Sequence, residues 1–259
     1  MARLTLWSQT ARLVQSAVAY GTAALMTVTL HEFAHGAAAL AFGLRPTVYG
    51  LHEEDVAGGG WQAAIIAAAG PIASLALGLM FFQIHKRMRG QGFARYLTFW
   101  LGLLGIALCM GYLLTPPFFK EGDVYKVLAG MDAATPVFVG LSVLLGGVGF
   151  IQVAWIGFPR LLAMTDGSAP LRPQMMASSL LAWLAGSALV LLAMTPRLPW
   201  MLVAIGTFAP LMNFFAARRD KAQSYGEPGA TPVISWWGIG LLIGLASAEQ
   251  TVLRWGVVL

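Results

Sequence analysis

Long apolar stretches separated by short polar segments make up most of the chain. Seven of these stretches approach or exceed the ~20 residues that a helix needs to cross a bilayer. The polar segments between them are too short to form a soluble domain. The pattern therefore predicts an all-α polytopic membrane protein with six to seven transmembrane helices. Six is possible as well as seven because the fifth and sixth stretches are nearly continuous. The stretches cover about residues 13–43, 61–84, 96–118, 136–158, 176–194, 199–217 and 233–253.

The composition agrees with a membrane protein, since 58% of the residues are hydrophobic and 10% are charged. The net charge of +5 comes from basic residues between the apolar stretches. Basic residues in these positions reflect the orientation of the chain in the membrane and do not indicate nucleic-acid binding. If seven stretches alternate across the bilayer, most Lys and Arg residues lie on the side of the N-terminus, which favours a cytoplasmic N-terminus. The single cysteine, Cys109, excludes an intrachain disulfide and a cysteine-based zinc site.

The first apolar stretch contains the sequence His-Glu-Phe-Ala-His at residues 31–35. On a helix His31 and His35 are one turn apart on the same face, so both imidazoles can bind one metal ion. A zinc ion held by two histidines needs a third protein ligand and a water molecule, and Glu32 is placed to take the proton of that water. Ionisable side chains at this depth cost roughly 2.5–3.5 kcal/mol each on insertion scales, which favours a functional role.

Two other interpretations of these residues stay open. In the first, the chain is a transporter or assembly factor that uses His31, Glu32 and His35 to move ions or protons. In the second, it is a different kind of membrane zinc protease, whose third ligand is a glutamate from a later helix. Glu249 is the later intramembrane glutamate that fits this description.

The segment after the first stretch predicts a short strand or hairpin at the membrane surface. Thr47, Val48 and Tyr49 are β-branched or aromatic, and a glycine cluster follows at 58–60. The edge of such a strand could pair with an extended substrate segment. An ordinary connecting loop is equally compatible with so short a signal, and His52 within it is a less favoured candidate ligand.

A third metal ligand is predicted just after the third stretch. Pro116 and Pro117 must break the helix there, and irregular backbone at membrane depth is tolerated only where it is buried or lines a cavity. In an alternating topology this break lies on the same side as the end of the His-Glu-Phe-Ala-His helix. Asp123 is the favoured ligand, with Glu121 and Asp132 as alternatives.

Taken in order, these motifs resemble the site-2 protease family of intramembrane zinc metalloproteases over about residues 20–130. The matching residues are the motif at 31–35, Ala-Gly-Pro at 69–71 with Ser74, then Pro117 and Gly-Asp at 122–123. Two positions depart from the family pattern. Ser74 replaces a usual asparagine, and Gly-Asp appears in place of an Asp-Gly that follows Asn-Pro.

The resemblance implies Zn²⁺ as cofactor, Glu32 as the catalytic residue and His31, His35 and Asp123 as its ligands. It implies a catalytic membrane core at 1–130 and accessory transmembrane helices at 131–259. It also places the loop after the first motif on the cytoplasmic side, against the charge count, so orientation stays open. Residues implied in substrate binding are Tyr49, Gly70, Pro71, Ser74 and Pro117.

The implied reaction is hydrolysis of a peptide bond in or near a transmembrane segment of another membrane protein. Partners are then this substrate and the lipid bilayer, with no nucleic acid. Whether a regulatory membrane protein or further copies of the chain also bind is left open. The expected location is the cell membrane of a bacterium or archaeon, as an integral multi-pass protein.

Overall fold

A computed structural model describes residues 2–49, 53–54, 60–90, 92–120, 122–165, 171–193 and 233–259. Helices account for most of these residues, and three very short strands form one sheet. The helices are α1 Ala2–Ala41, α2 Gly60–Arg87, α3 Phe93–Leu114, α4 Asp123–Gly130, α5 Pro136–Leu162, α6 Leu171–Met175, α7 Ala182–Ala193 and α8 Trp236–Thr251, with a π-helical segment at Met176–Leu181 that joins α6 to α7.

Five helical segments among the described residues are long and apolar enough to cross a membrane: α1, α2, α3, α5 and the continuous α6–α7. This agrees with the predicted multi-pass membrane protein. The predicted count of six to seven transmembrane helices is not confirmed, because the stretch at 199–217 lies outside the described residues. The last predicted stretch corresponds to α8, which has 16 residues and is shorter than a typical span.

Helix α3 packs against α1, α2 and α5, and its aromatic side chains fill the core. Trp100 is almost fully buried, and its ring contacts that of Tyr20 edge-on with centroids 5.0 Å apart. The indole N–H of Trp100 donates to Ser16 Oγ over 2.9 Å, which satisfies its polar atom inside the bundle. This contact ties α3 to the first half of α1.

Glycines bring α2 and α3 together nearly backbone to backbone. A Cβ added at Gly105 would lie 2.6 Å from the carbonyl oxygen of Ser74, and one at Gly78 would lie 2.6 Å from the backbone nitrogen of Ile106. Small residues allow this close approach, as is common between membrane helices. The packing fixes the position of Ser74 relative to α1 and α3.

The strands β1 Thr47–Val48 and β2 Glu53–Glu54 form the hairpin that the sequence predicts. A third strand, β3 Val257–Val258, pairs antiparallel with the other edge of β1, so the strand order is β2-β1-β3. From its sequence, an edge of the β1 region could pair with an extended substrate segment. In the structure β1 is the central strand, and both of its edges are paired.

Helix α3 ends at Leu114, before Pro116 and Pro117, as the two prolines predict. The chain then turns, with the N–H groups of Phe118 and Phe119 both donating to the carbonyl of Thr115. Helix α4 begins at Asp123. The break therefore places Asp123 a short distance in sequence from the end of a membrane-spanning helix.

Candidate metal centre

Three potential metal ligands from two separate parts of the chain meet at one point. Asp123 Oδ2 lies 2.9 Å from His31 Nε2 and 3.3 Å from His35 Nε2. The two histidine Nε2 atoms are 3.1 Å apart. Both histidines are buried, and the three residues form a group that could hold a metal ion.

Local structure explains how each of these ligands reaches the site. His31 and His35 lie one turn apart in α1, so the helical repeat alone places their rings together. Asp123 is the first residue of α4, where the free N–H groups of the helix favour a negative charge. Helix α4 packs closely on the start of α2, since a Cβ at Gly130 would lie 2.5 Å from the carbonyl oxygen of Gly60.

Hydrogen bonds to the second nitrogen of each imidazole orient the two rings. The Nδ1–H of His35 donates to the carbonyl of Ile66 over 2.7 Å, and a carbonyl oxygen can only accept. In its neutral form the ring then directs the lone pair of Nε2 at the site. His31 Nδ1 lies 3.0 Å from Ser74 Oγ, which can accept a hydrogen bond from the Nδ1–H group. Such outer contacts are typical of metal-binding histidines.

Helix α2 supplies both of these acceptors and also the space for the site. A Cβ at Gly70 would lie 2.7 Å from His31 Nε2 and would overlap the His35 ring. Pro71 follows it inside the helix and removes the helical hydrogen bond to the carbonyl of Ala67. Gly70 thus forms the wall of the centre against which the two histidine rings lie.

The electrostatic environment of Asp123 favours its ionised form. Burial alone would raise the pKa of its carboxyl, but when the two rings are protonated the hydrogen bonds from His31 and His35 and their positive charges outweigh burial and lower the pKa. Asp123 is therefore a carboxylate at neutral pH. An ionised carboxylate is the form in which aspartate binds metals.

The three donors fit a metal ion. Three tetrahedral donors at about 2.1 Å from zinc would be separated by about 3.4 Å, and the observed 2.9–3.3 Å are close to this. When both Nδ1 atoms are protonated, no hydrogen lies between the two Nε2 atoms. Their lone pairs then repel each other and the carboxylate oxygen, and a cation at the centre of the three donors removes this repulsion.

The other residues predicted from the sequence take different positions. Glu32 is buried beside the ligands, with 5% of its surface exposed, and the charge of Glu32 acts on His35. Ser74 contacts the ring of His31, and its predicted contact with substrate stays a prediction. Tyr49 lies beside the sheet, near Gly256, while Pro117 is exposed in the turn after α3.

The alternative ligands do not join the group that the described residues form. Asp132 is exposed, whereas Glu121 and His52 lie outside the described residues. Glu249 Oε1 accepts a hydrogen bond from Thr29 Oγ1 over 2.5 Å, on a face of α1 that points away from His31.

Sequence reasoning missed two residues of the site, Tyr112 and Ile66. Tyr112 stacks on the ring of His31, and Ile66 contributes only its backbone carbonyl. A backbone acceptor leaves no signal in side-chain identity. Tyr112 is one aromatic residue among many apolar ones in α3, and no motif around it marks it as part of the site.

Comparison with known proteins finds no family model that matches the chain, and no match among curated proteins or solved structures. The residues of the site are therefore the basis on which a function can be assigned.

Proposed function

We propose that the chain is an intramembrane zinc metalloprotease that hydrolyses peptide bonds in or near transmembrane segments of other membrane proteins. The observation that carries the proposal is the meeting of His31, His35 and Asp123, with Glu32 buried next to them. An H-E-x-x-H helix with a third carboxylate ligand is the ligand set of known zinc hydrolases. The order of the three motifs, which resembles site-2 proteases, supports the same reaction.

The metal-binding residues fit zinc, with nitrogen and oxygen donors in the proportions that catalytic zinc sites use. When bound, zinc would act as a Lewis acid and would lower the pKa of a coordinated water. His31 and His35 are held in orientation by Ser74 and Ile66. Asp123 supplies the third donor and a negative charge.

Glu32 is the residue that moves protons in this proposal. Its carboxylate takes a proton from the attacking water, whose oxygen adds to the carbonyl carbon of the substrate. When the C–N bond breaks, Glu32 gives the proton to the leaving nitrogen. The substrate helix must first unwind locally, because its peptide groups are otherwise engaged in helical hydrogen bonds. Extended substrate backbone is therefore expected at the site.

Metal analysis of the purified full chain tests the ligand assignment. The parent, loaded with zinc and dialysed, is expected to retain about one zinc per chain, and His31→Ala, His35→Ala and Asp123→Ala to retain almost none. Asp132→Asn is the matched control, since Asp132 is exposed and its left-handed backbone suits asparagine. Equal zinc content in parent and Asp123→Ala would contradict the assignment.

The activity test uses Glu32→Gln, which preserves the size of the side chain and removes the base. Cleavage of fluorophore–quencher peptides with a single membrane span, reconstituted with the protein in proteoliposomes, is expected to fall by about 10²–10⁴-fold, with zinc retained. Undiminished cleavage by Glu32→Gln would overturn the mechanism. Proton flux across the vesicles that disappears in Glu32→Gln, without cleavage by the parent, would establish the transport alternative instead.

A further inference from the structure

The edge of β1 that faces away from β2 is filled by a segment of the chain itself. Val257 and Val258 pair with Val48 and Thr47, respectively. The N–H of Leu259 continues the ladder by donating to the carbonyl of Pro46 over 3.1 Å. An extended segment from a distant part of the sequence thus occupies a position to which a strand can be added.

The sheet packs on α1 at the residue directly after His35. Gly36, which follows His35 in α1, is covered by the sheet. A Cβ at Gly36 would lie 2.6 Å from the side chain of Val48 and 2.7 Å from that of Leu259. The sheet and the side chain of Leu259 therefore rest on the helical turn that bears the ligands.

The attachment of β3 depends on Gly256. Gly256 has a φ of 81°, which glycine tolerates far better than other residues. A Cβ there would lie 2.6 Å from the side chain of Thr47 and 2.8 Å from the ring of Tyr49. Docking of β3 therefore requires a glycine at this position.

The docked strand has few contacts that hold it in place. It contains two residues, and Val258 is 70% exposed. Trp255, at the end of the preceding 3-10 turn, is 76% exposed. Because the ladder between β3 and β1 is only two residues long, release of β3 breaks few backbone hydrogen bonds.

We propose that Val257–Leu259 is an intramolecular competitor of the substrate: it occupies the position beside β1 in which an extended apolar segment of the substrate pairs, and it must leave before that segment can bind. This inference rests on the proposed function for the identity of the incoming segment. Backbone hydrogen bonds supply the affinity, and the site suits β-branched and aliphatic side chains like those of β3.

A reversible covalent lock tests the competition directly. Thr47 and Val258 are partners across the ladder, so the double variant Thr47→Cys/Val258→Cys, in a Cys109→Ala background, places two thiols in position for a disulfide. Oxidation is expected to reduce cleavage of the single-span peptides at least about tenfold, and reduction to restore it. Equal cleavage by the oxidised and reduced forms would overturn the proposal.

The complementary variant, Gly256→Ala, strains the docked strand and is expected to raise the cleavage rate about fivefold or more. Gly240→Ala is its matched control, because a Cβ at Gly240 meets open space. A rate for Gly256→Ala at or below that of Gly240→Ala, with equal thermal stability, would contradict the competition.

A binding measurement separates this inference from the proteolytic function. The probe is a fluorescein-labelled peptide of sequence Trp-Gly-Val-Val-Leu, added to full-length protein that carries Glu32→Gln. Fluorescence anisotropy is expected to show tighter binding to Gly256→Ala than to Gly240→Ala, and loss of binding in the oxidised double-cysteine protein. If the peptide binds in this pattern while the parent cleaves nothing, the proposed proteolytic function is wrong, but pairing of an added segment with β1 in place of β3 is supported. If the disulfide does not affect binding, the peptide does not bind in the place of β3, and the inference is wrong.

Discussion

The ring of Tyr112 lies parallel to the ring of His31, with centroids 4.8 Å apart and an angle of 6° between the planes. Tyr112 is in the last turn of α3, just before the break that leads to Asp123. The end of α3 therefore stacks on one candidate metal ligand, His31, and leads through the following turn to another, Asp123. This relationship connects the helix packing of the bundle with the geometry of the centre.

Replacement of Tyr112 separates stacking from other effects of this side chain. Tyr112→Phe keeps the ring and is expected to bind zinc within about twofold of the parent, whereas Tyr112→Leu loses the stack and is expected to bind about 3- to 10-fold more weakly. Competition with a zinc chelator measures the affinities. Equal affinity of the Phe and Leu variants would show that stacking does not support His31.

Removal of the Ser74 hydroxyl tests the hydrogen bond that orients His31. Ser74→Ala is expected to lower zinc affinity by about 10- to 100-fold, because the ring loses the partner that fixes its Nδ1. Ser247→Ala, at an exposed position of α8, is the control. If Ser74→Ala binds zinc like its control but cleaves more slowly, Ser74 would have the substrate-binding role predicted from the sequence.

Addition of one methyl group at Gly70 is expected to close the metal centre. The new Cβ would enter the space between the two Nε2 atoms, so Gly70→Ala should retain less than about one tenth of the parent's zinc after dialysis. Gly140→Ala makes the same change where a Cβ meets no neighbour. Full zinc retention by Gly70→Ala would mean that the ion binds away from the point where the three donors meet.

Glu249 provides a test of the alternative in which a later glutamate is the third ligand. Glu249→Gln keeps an acceptor for the hydroxyl of Thr29 and is expected to leave zinc content unchanged. Glu249→Leu removes that acceptor and is expected to cost about 1–3 kcal/mol of stability, seen as a lower melting temperature in detergent. Loss of zinc from Glu249→Gln would favour the alternative ligand.

Much of the centre could be predicted from the sequence because the relevant distances are local. The helical repeat fixes the relation of His31 to His35, and two adjacent prolines fix the end of α3 within a few residues. The choice of Asp123 over Asp132 depended on where the chain turns after the break. Both carboxylates are chemically suitable, so only the packing of α4 against α2 distinguishes them.

The amino-acid sequence by itself determined the membrane class and the paired histidines, since apolar length and the helical repeat act over neighbouring positions. For the segment after the histidines it left a strand and an ordinary loop equally open. Only the tertiary structure decided that Ser74 and Ile66 orient the imidazoles, that Tyr112 stacks on His31 and that Val257–Leu259 pairs with β1. These contacts join residues far apart in the chain. They depend on how closely α1, α2 and α3 approach one another, which local sequence patterns do not encode.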